Sequence, residues 1–214
     1  MNTETAIQRQ ADRELVSQIL QRDPHAFRKL IVDHEKLVAH LVYKMIPIAA
    51  DRRDIIQDVY IKVHNNLRKF RFQSKLSTWI GQITYNTCLH YLQKKRPILM
   101  ESFFENADSS YTDYKMVQAA SNETENRLFA RELSQTIAQA VAQLSALYQT
   151  LIGLHYQQEL SLQEISEITQ LPEGTIKSYL FRARRQLKDI LLKSQKERNY
   201  EQYTFNRRTV AGTC

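Results

Sequence analysis

Glycine and proline are scarce in this chain: four of each among 214 residues. Tight turns are therefore few, and long uninterrupted helices are allowed. Strand-like alternation of apolar and polar residues is nearly absent as well, whereas helical spacing of apolar residues recurs throughout. Cysteine is equally rare. Cys88 and Cys214 are far apart, with no CxxC and no Cys/His ligand spacing, so no zinc site is expected and the pattern suits a reducing cytoplasm. No apolar run approaches the length that spans a bilayer, and the polar start MNTETAIQRQADRE has no apolar signal core, which predicts a cytoplasmic protein. The chemical signatures of common enzymes are missing too. There is no phosphate-binding glycine loop, no HExxH and no GxSxG, and the histidines (His25, His34, His40, His64, His90, His155) are scattered, as surface positions of helices would be. The expectation is an all-α protein with no catalysis, no cofactor and no small-molecule substrate.

What is present is positive charge. Thirty Lys and Arg against 23 Asp and Glu give a net charge of +7 and a pI near 9.4, a balance that suits a polyanionic partner.

The periodicity divides the chain into an N-terminal extension (1–20), a helical domain (21–97), an acidic linker (98–126), a second helical domain (127–193) and a polar, frayed tail (194–214). In the first domain, Asp23 followed by Pro24 signals a helix start. Leu30, Leu37, Leu41 and Met45 then recur until Pro47. Asp51 is expected to cap the next helix, whose stripe is Ile56, Val59, Tyr60, Val63 and Leu67. Ser77 is expected to cap a third, with Trp79, Ile80, Ile83 and Leu89 inward and Pro97 at its end. The linker carries Glu101, Glu105, Asp108 and Asp113. The second domain repeats Leu128, Leu133, Ile137 and Val141, then Leu144, Leu147, Leu151 and Leu154.

The segment 161–193 has the outline of a helix-turn-helix. Ser161 and Glu164 form a capping box, Leu162, Ile165 and Ile168 give the first helix its buried face, Leu171 marks the turn and Pro172 opens the second helix. On a wheel of 100° per residue, Ile176, Leu180, Ala183, Leu187 and Ile190 share one face. Lys177, Ser178, Phe181, Arg182, Arg185 and Lys188 lie opposite, with Arg184 at the border. A basic face bearing a hydroxyl and an unburied aromatic ring suits the phosphates and base edges of a major groove.

The run PEGTIKSYLFRARRQLKDIL resembles the second helix of region 4 of extracytoplasmic-function (ECF) sigma factors, members of the sigma-70 family of RNA polymerase subunits. Pro172, Gly174, Thr175, Ile176, Lys177, Ser178, Arg182, Ala183 and Arg184 match its pattern in order, while Tyr179 stands where the family commonly has arginine. The resemblance implies reading of the −35 promoter element, with Lys177, Ser178, Phe181 and Arg182 in contact; Arg185 joins them from the wheel. DRRDIIQDVYIKVHNNLRKF resembles sigma region 2.2 through Asp54, Ile55, Gln57, Asp58, Val59 and Tyr60, with Arg52-Arg53 in place of the usual Ala-Glu. That likeness implies that Asp54, Gln57, Asp58 and Ile61 dock on the β′ coiled coil of core RNA polymerase. FRFQSKLSTWIGQITYNTCLHYLQKKR resembles regions 2.3 and 2.4 through Trp79, Ile80, Ile83 and Asn86. There the family melts the −10 element and captures an extruded base. Phe72, Gln73, Ser74, Lys75 and Asn86 would form the pocket, with Arg71, Lys94, Lys95 and Arg96 on the strand's backbone; Trp79 fits the core better. The family further implies contact with the polymerase β flap, promoter DNA as ligand and an anti-sigma factor as partner. Three other readings compete: a helix-turn-helix activator that is no polymerase subunit, an enzyme, and a helical adaptor. Only the first shares the basic helix, and it has no use for the Asp54 face or the melting loop.

Overall fold

The computed structural model describes the backbone of residues 3–95, 103 and 125–211, and the side chains of 7–94, 103 and 133–194. The described residues form helices and turns, without a strand. In chain order the helices are α1 (Thr3–Leu20), α2 (Pro24–Met45), α3 (Ala49–Asn66), α4 (Leu76–Lys95), α5 (Glu125–Ala142), α6 (Ala146–Ile152), α7 (Leu162–Thr169) and α8 (Glu173–Ala211). A 3₁₀ turn at Leu67–Lys69 follows α3, and a π turn at Gly153–Gln157 follows α6.

The start of α2 is as its sequence predicts: Pro24 opens it and the Asp23 carboxylate accepts the His25 amide at 2.8 Å. Two other expected caps are not used. Helix α3 begins at Ala49, ahead of Asp51, and its N-cap residue Ile48 contributes no side-chain bond. Asp51 sits instead in the first turn, where a carboxylate suits the helix dipole, and accepts the hydroxyl of Tyr91 from α4. Helix α4 begins at Leu76, one residue before Ser77. Its first amide is capped from a distance, by the Asp12 carboxylate of α1 at 3.1 Å. Helix α1 is therefore built into the fold rather than appended to it: it packs on α2 and buries Leu15, Val16 and Ile19.

The first helical unit surrounds Leu30, Leu41, Val42 and Met45 of α2, Val59 and Val63 of α3, and Leu76, Ile80 and Leu92 of α4. The second surrounds Leu144, Leu147, Leu151, Ile165, Ile168, Ile176 and Leu180. Leu133 and Ile137, placed by periodicity in a buried repeat, are instead exposed on α5, where Ala140 makes the inward contact. The expected tail is also different. Helix α8 runs 39 residues to Ala211, because no proline or glycine interrupts the chain between Gly174 and Gly212 and residues 195–202 are mostly good helix formers. Of the acidic linker, only Phe103 and the start of α5 lie within the described residues; Phe103 is buried in the core.

The two units share a seam, α2 against α6 and α4 against α7. Close approach is possible because two of the four glycines stand there. A Cβ on Gly81 would lie 2.8 Å from Ile168 Cδ1, and one on Gly153 would overlap the His40 ring. His40 is not a surface histidine but a buried one; its Nε2 donates to the Thr150 carbonyl at 3.2 Å. Lys44 Nζ donates to Gln149 Oε1 at 3.1 Å beside it. Burial, opposed by the Thr150 bond and reinforced by the charge of Lys44, lowers the His40 pKa to about 4.

Two outcomes follow for the seam. The unfolded chain binds a proton at His40 below pH 6.5 and the folded one only near pH 4, so stability is full above pH 6.5 and is lost as pH falls through that window. The loss is about 3 kcal/mol at the acid end and is readable by urea unfolding at pH 7 and pH 5; a flat profile would contradict it. Gly153→Ala should destabilise by about 1–3 kcal/mol through overlap with His40, although alanine is ordinarily the better helix residue by roughly 0.5–1 kcal/mol. A stabilised variant in the same assay would show that the seam is looser than described.

Candidate functional site

The helix-turn-helix is fixed by local hydrogen bonds. Ser161 Oγ accepts the Glu164 amide at 3.2 Å, and the Glu164 carboxylate accepts the Ser161 amide at 2.9 Å and its hydroxyl at 2.7 Å. Gln170 ends α7 in the left-handed conformation, φ 60°, and the Ser166 hydroxyl donates to the Leu171 carbonyl across the turn. The Pro172 carbonyl then accepts the amides of Thr175 and Ile176, so Pro172 precedes α8 rather than opening it. Ile176, Leu180 and Ala183 are buried, and Leu187 and Ile190 half-buried. Lys177, Ser178, Phe181, Arg182, Arg184, Arg185 and Lys188 all stand in solvent; the Phe181 ring, 61% exposed, has no packing role. Tyr179 is half-buried, 6.0 Å from the Tyr148 ring, with the Arg182 guanidinium at 5.9 Å. It belongs to the packing of the helix, which accounts for its departure from the basic pattern.

On α3, Asp54, Gln57, Asp58 and Ile61 are all exposed. Spaced three and four residues apart, they form one stripe, and Ile61 keeps half of its surface in solvent. Arg52 serves the fold instead. Its guanidinium donates to the carbonyls of Ile46 and Pro47, closing the end of α2, and lies 5.0 Å from the Tyr43 ring. Arg53 is exposed beside the Asp54 stripe.

Between the 3₁₀ turn and α4 runs the loop expected to hold single-stranded DNA. Arg71, Gln73 and Lys75 face solvent, and Ser74 is half-buried. Phe72 is not free to stack: its ring lies 4.7 Å from that of Phe70 and packs on the core. Trp79 is likewise a core residue, 5.0 Å from Phe70. Asn86 and Lys94 are exposed on α4. At 1.5 Å per residue Asn86 sits about 15 Å along the helix from Leu76, so loop and Asn86 are two stations on a track rather than one pocket. The side chain of Lys95, and Arg96 altogether, lie outside the described residues.

An ion pair joins the 71–75 loop to the helix-turn-helix: Lys75 Nζ lies 2.8 Å from Glu164 Oε1. Burial alone would raise the Glu164 pKa, but hydrogen bonds from Lys75 and Ser161, with the charge of Lys75, hold it below the ordinary carboxylate range. Sequence reasoning placed Glu164 in its local cap and missed this second role, along with His40 and Asp12. In each case the partner is distant in the chain. Burial pushes the Cys88 thiol up to about 12, and no group of three His, Cys, Asp or Glu among the described residues could hold a metal. No helix of the described residues is long and apolar enough to cross a membrane.

Known proteins match this chain over most of its length. Residues 30–98 match the family Sigma-70 region 2, and residues 134–187 match Sigma-70, region 4. The ECF RNA polymerase sigma factor SigW of Bacillus subtilis is 31% identical over 183 residues, 82% of this chain and 96% of its own. The ECF RNA polymerase sigma-E factor of Escherichia coli K12 is 32% identical over 175 residues, 81% and 90% of the two chains. Among solved structures, CnrH in complex with the cytosolic domain of CnrY superimposes with a TM-score of 0.54 at 19% identity, covering 85% of this chain and 97% of that one. The sigma factor RpoE of Bartonella quintana, solved with the anti-sigma factor NepR, gives 0.56 at 21% identity, covering 77% and 96%. Both share the fold. Two family domains in their expected order, with relatives of this identity and coverage, make the chain an ECF sigma factor of the sigma-70 family, which binds core RNA polymerase and promoter DNA and directs transcription initiation.

Proposed function

We propose that this sigma factor divides initiation among three surfaces and catalyses no reaction itself. The Asp54–Gln57–Asp58–Ile61 stripe docks on the β′ coiled coil of the polymerase, and the second unit contacts the β flap. The exposed face of α8 holds the −35 element as duplex. Arg71, Gln73 and Lys75, then Asn86 and Lys94 along α4, hold the opened −10 strand at successive nucleotides. The observation that carries this reading is the face of α8: five cations and an unburied phenylalanine on the outer side of a helix whose inner side buries Ile176, Leu180 and Ala183. Arginine and lysine there can neutralise phosphates or pair with guanine edges, while Ser178 and Phe181 contact other base edges. Such work belongs in the cytoplasm. By analogy with RpoE of B. quintana and its anti-sigma factor NepR, an anti-sigma protein would hold the free form.

The closed seam must open for this function. Elements at −35 and −10 lie about 25 base pairs apart, roughly 85 Å of helix axis at about 3.4 Å per pair. In the closed chain, Lys75 of the −10 loop touches Glu164 of the helix-turn-helix. An ion pair with a half-exposed lysine contributes at most about 1 kcal/mol, so polymerase and DNA can outcompete it.

Arg182→Glu should weaken binding to the −35 element by about tenfold to a hundredfold and leave affinity for core polymerase unchanged, measured by promoter-fragment shift and core pull-down. Loss of core binding instead would break the division of labour. Glu164→Gln keeps the capping box, since glutamine serves at that position, and removes the ion pair. With dyes at Arg28→Cys and Gln139→Cys, both exposed positions, single-molecule energy transfer in the free chain should shift toward larger separations. An unchanged distribution would mean that Lys75–Glu164 does not help to close it.

A further inference from the structure

Helix α1, which precedes the region 2 match, touches the proposed −10 loop at its entry, middle and exit. It ends ten residues before residue 30, where that match begins, yet it packs on the 3₁₀ turn at the loop's entry. In the middle, the Arg13 guanidinium lies 5.6 Å over the Phe72 ring. At the exit, the buried Asp12 carboxylate accepts the Leu76 amide, the first of α4, at 3.1 Å, while its other oxygen accepts Gln8 Nε2 at 3.0 Å.

Each contact answers a local need that the loop cannot meet itself. The opening amides of a helix have no intrahelical acceptor. The residue before Leu76 is Lys75, whose side chain can only donate, so no local cap is available and one comes from 64 residues earlier. Phe72 has a φ of 57°, a left-handed backbone that a bulky residue keeps only when its surroundings fix it. Phe70 holds one side of that ring at 4.7 Å and Arg13 approaches it as well. With Phe72 turned inward, its neighbours Arg71 and Gln73 point to solvent.

We infer that Asp12 and Arg13 of α1 are positioning residues for promoter opening: they set the 71–75 loop in its strand-binding shape without touching DNA. The inference rests on the loop being the −10 strand site. Capture of an unstacked base depends on a preformed site, because ordering a loop at the moment of binding lowers affinity. A loop freed from α1 would therefore still dock on polymerase and still find duplex DNA, and would fail at strand capture.

The test uses the full chain assembled with core polymerase on a promoter mapped from its own transcript starts, with permanganate reactivity of −10 thymines as the readout of opening. Asp12→Ala and Arg13→Ala should each reduce opening about fivefold to tenfold. Core affinity and −35 duplex binding should stay within about twofold, a split that general misfolding would not produce. Asp12→Asn, whose amide oxygen can still accept the Leu76 amide, should recover most of the loss. Arg13 is exposed, so its variant guards against failure of the Asp12 variant to fold. Normal opening in both alanine variants, or loss of core binding in parallel with opening in both, overturns the inference. Arg71→Ala and Gln73→Ala separate the two levels: if these also open the promoter normally, the loop itself has been misassigned; if they fail while the α1 variants do not, only the role of α1 falls.

Discussion

The structure turns on the double use of α4. One face packs against α2 and α3 through Leu76, Ile80 and Leu92, while Asn86, Gln93 and Lys94 of the same helix stand in solvent. Near its start, the missing side chain of Gly81 admits Ile168 of α7. A helix that must serve the core of one unit, the seat of another and a proposed path for single-stranded DNA has little freedom at any position. The same close approach that lets the units share buried surface brings Glu164 against Lys75 and His40 beneath Gly153.

The seam combines apolar packing, in which Ile168 of α7 meets α4 at Gly81, with the partly exposed Lys75–Glu164 pair and the Lys44–Gln149 hydrogen bond. A carboxylate that meets a lysine of the proposed −10 loop occupies it as a phosphate would, so under that assignment the closed form and strand binding compete for one cation. By contrast, the outward face of α8 and the Asp54 stripe remain in solvent in the closed form. Closing the chain leaves these two surfaces open and engages only Lys75 of the third.

The parts legible in the sequence were those set by neighbours in the chain. The Ser161–Glu164 box, the Asp23–Pro24 start and the two faces of α8 follow from spacing over three to eight residues, and the structure contains each. What spacing could not supply were pairings across the fold. The acceptor for the Leu76 amide is Asp12, and the acceptor for His40 is Thr150, 110 residues on. Ser77 and Asp51 had the right chemistry to cap helices, but Asp12 and Tyr91 were better placed to bond the first turn of α4 and Asp51 respectively. Leu133 and Ile137 keep helical spacing without burial; among the described side chains of α5, Ala140 is the one that meets the core.

The central claim is that these surfaces act as parts of one polymerase subunit rather than as a free-standing DNA reader. Reconstitution with core RNA polymerase, followed by mapping of transcript 5′ ends on genomic DNA, tests it most directly. The account predicts a stable complex with core and starts that cluster downstream of a shared pair of sequence elements. Binding to duplex DNA without any binding to core, and no starts above those of core alone, would contradict it.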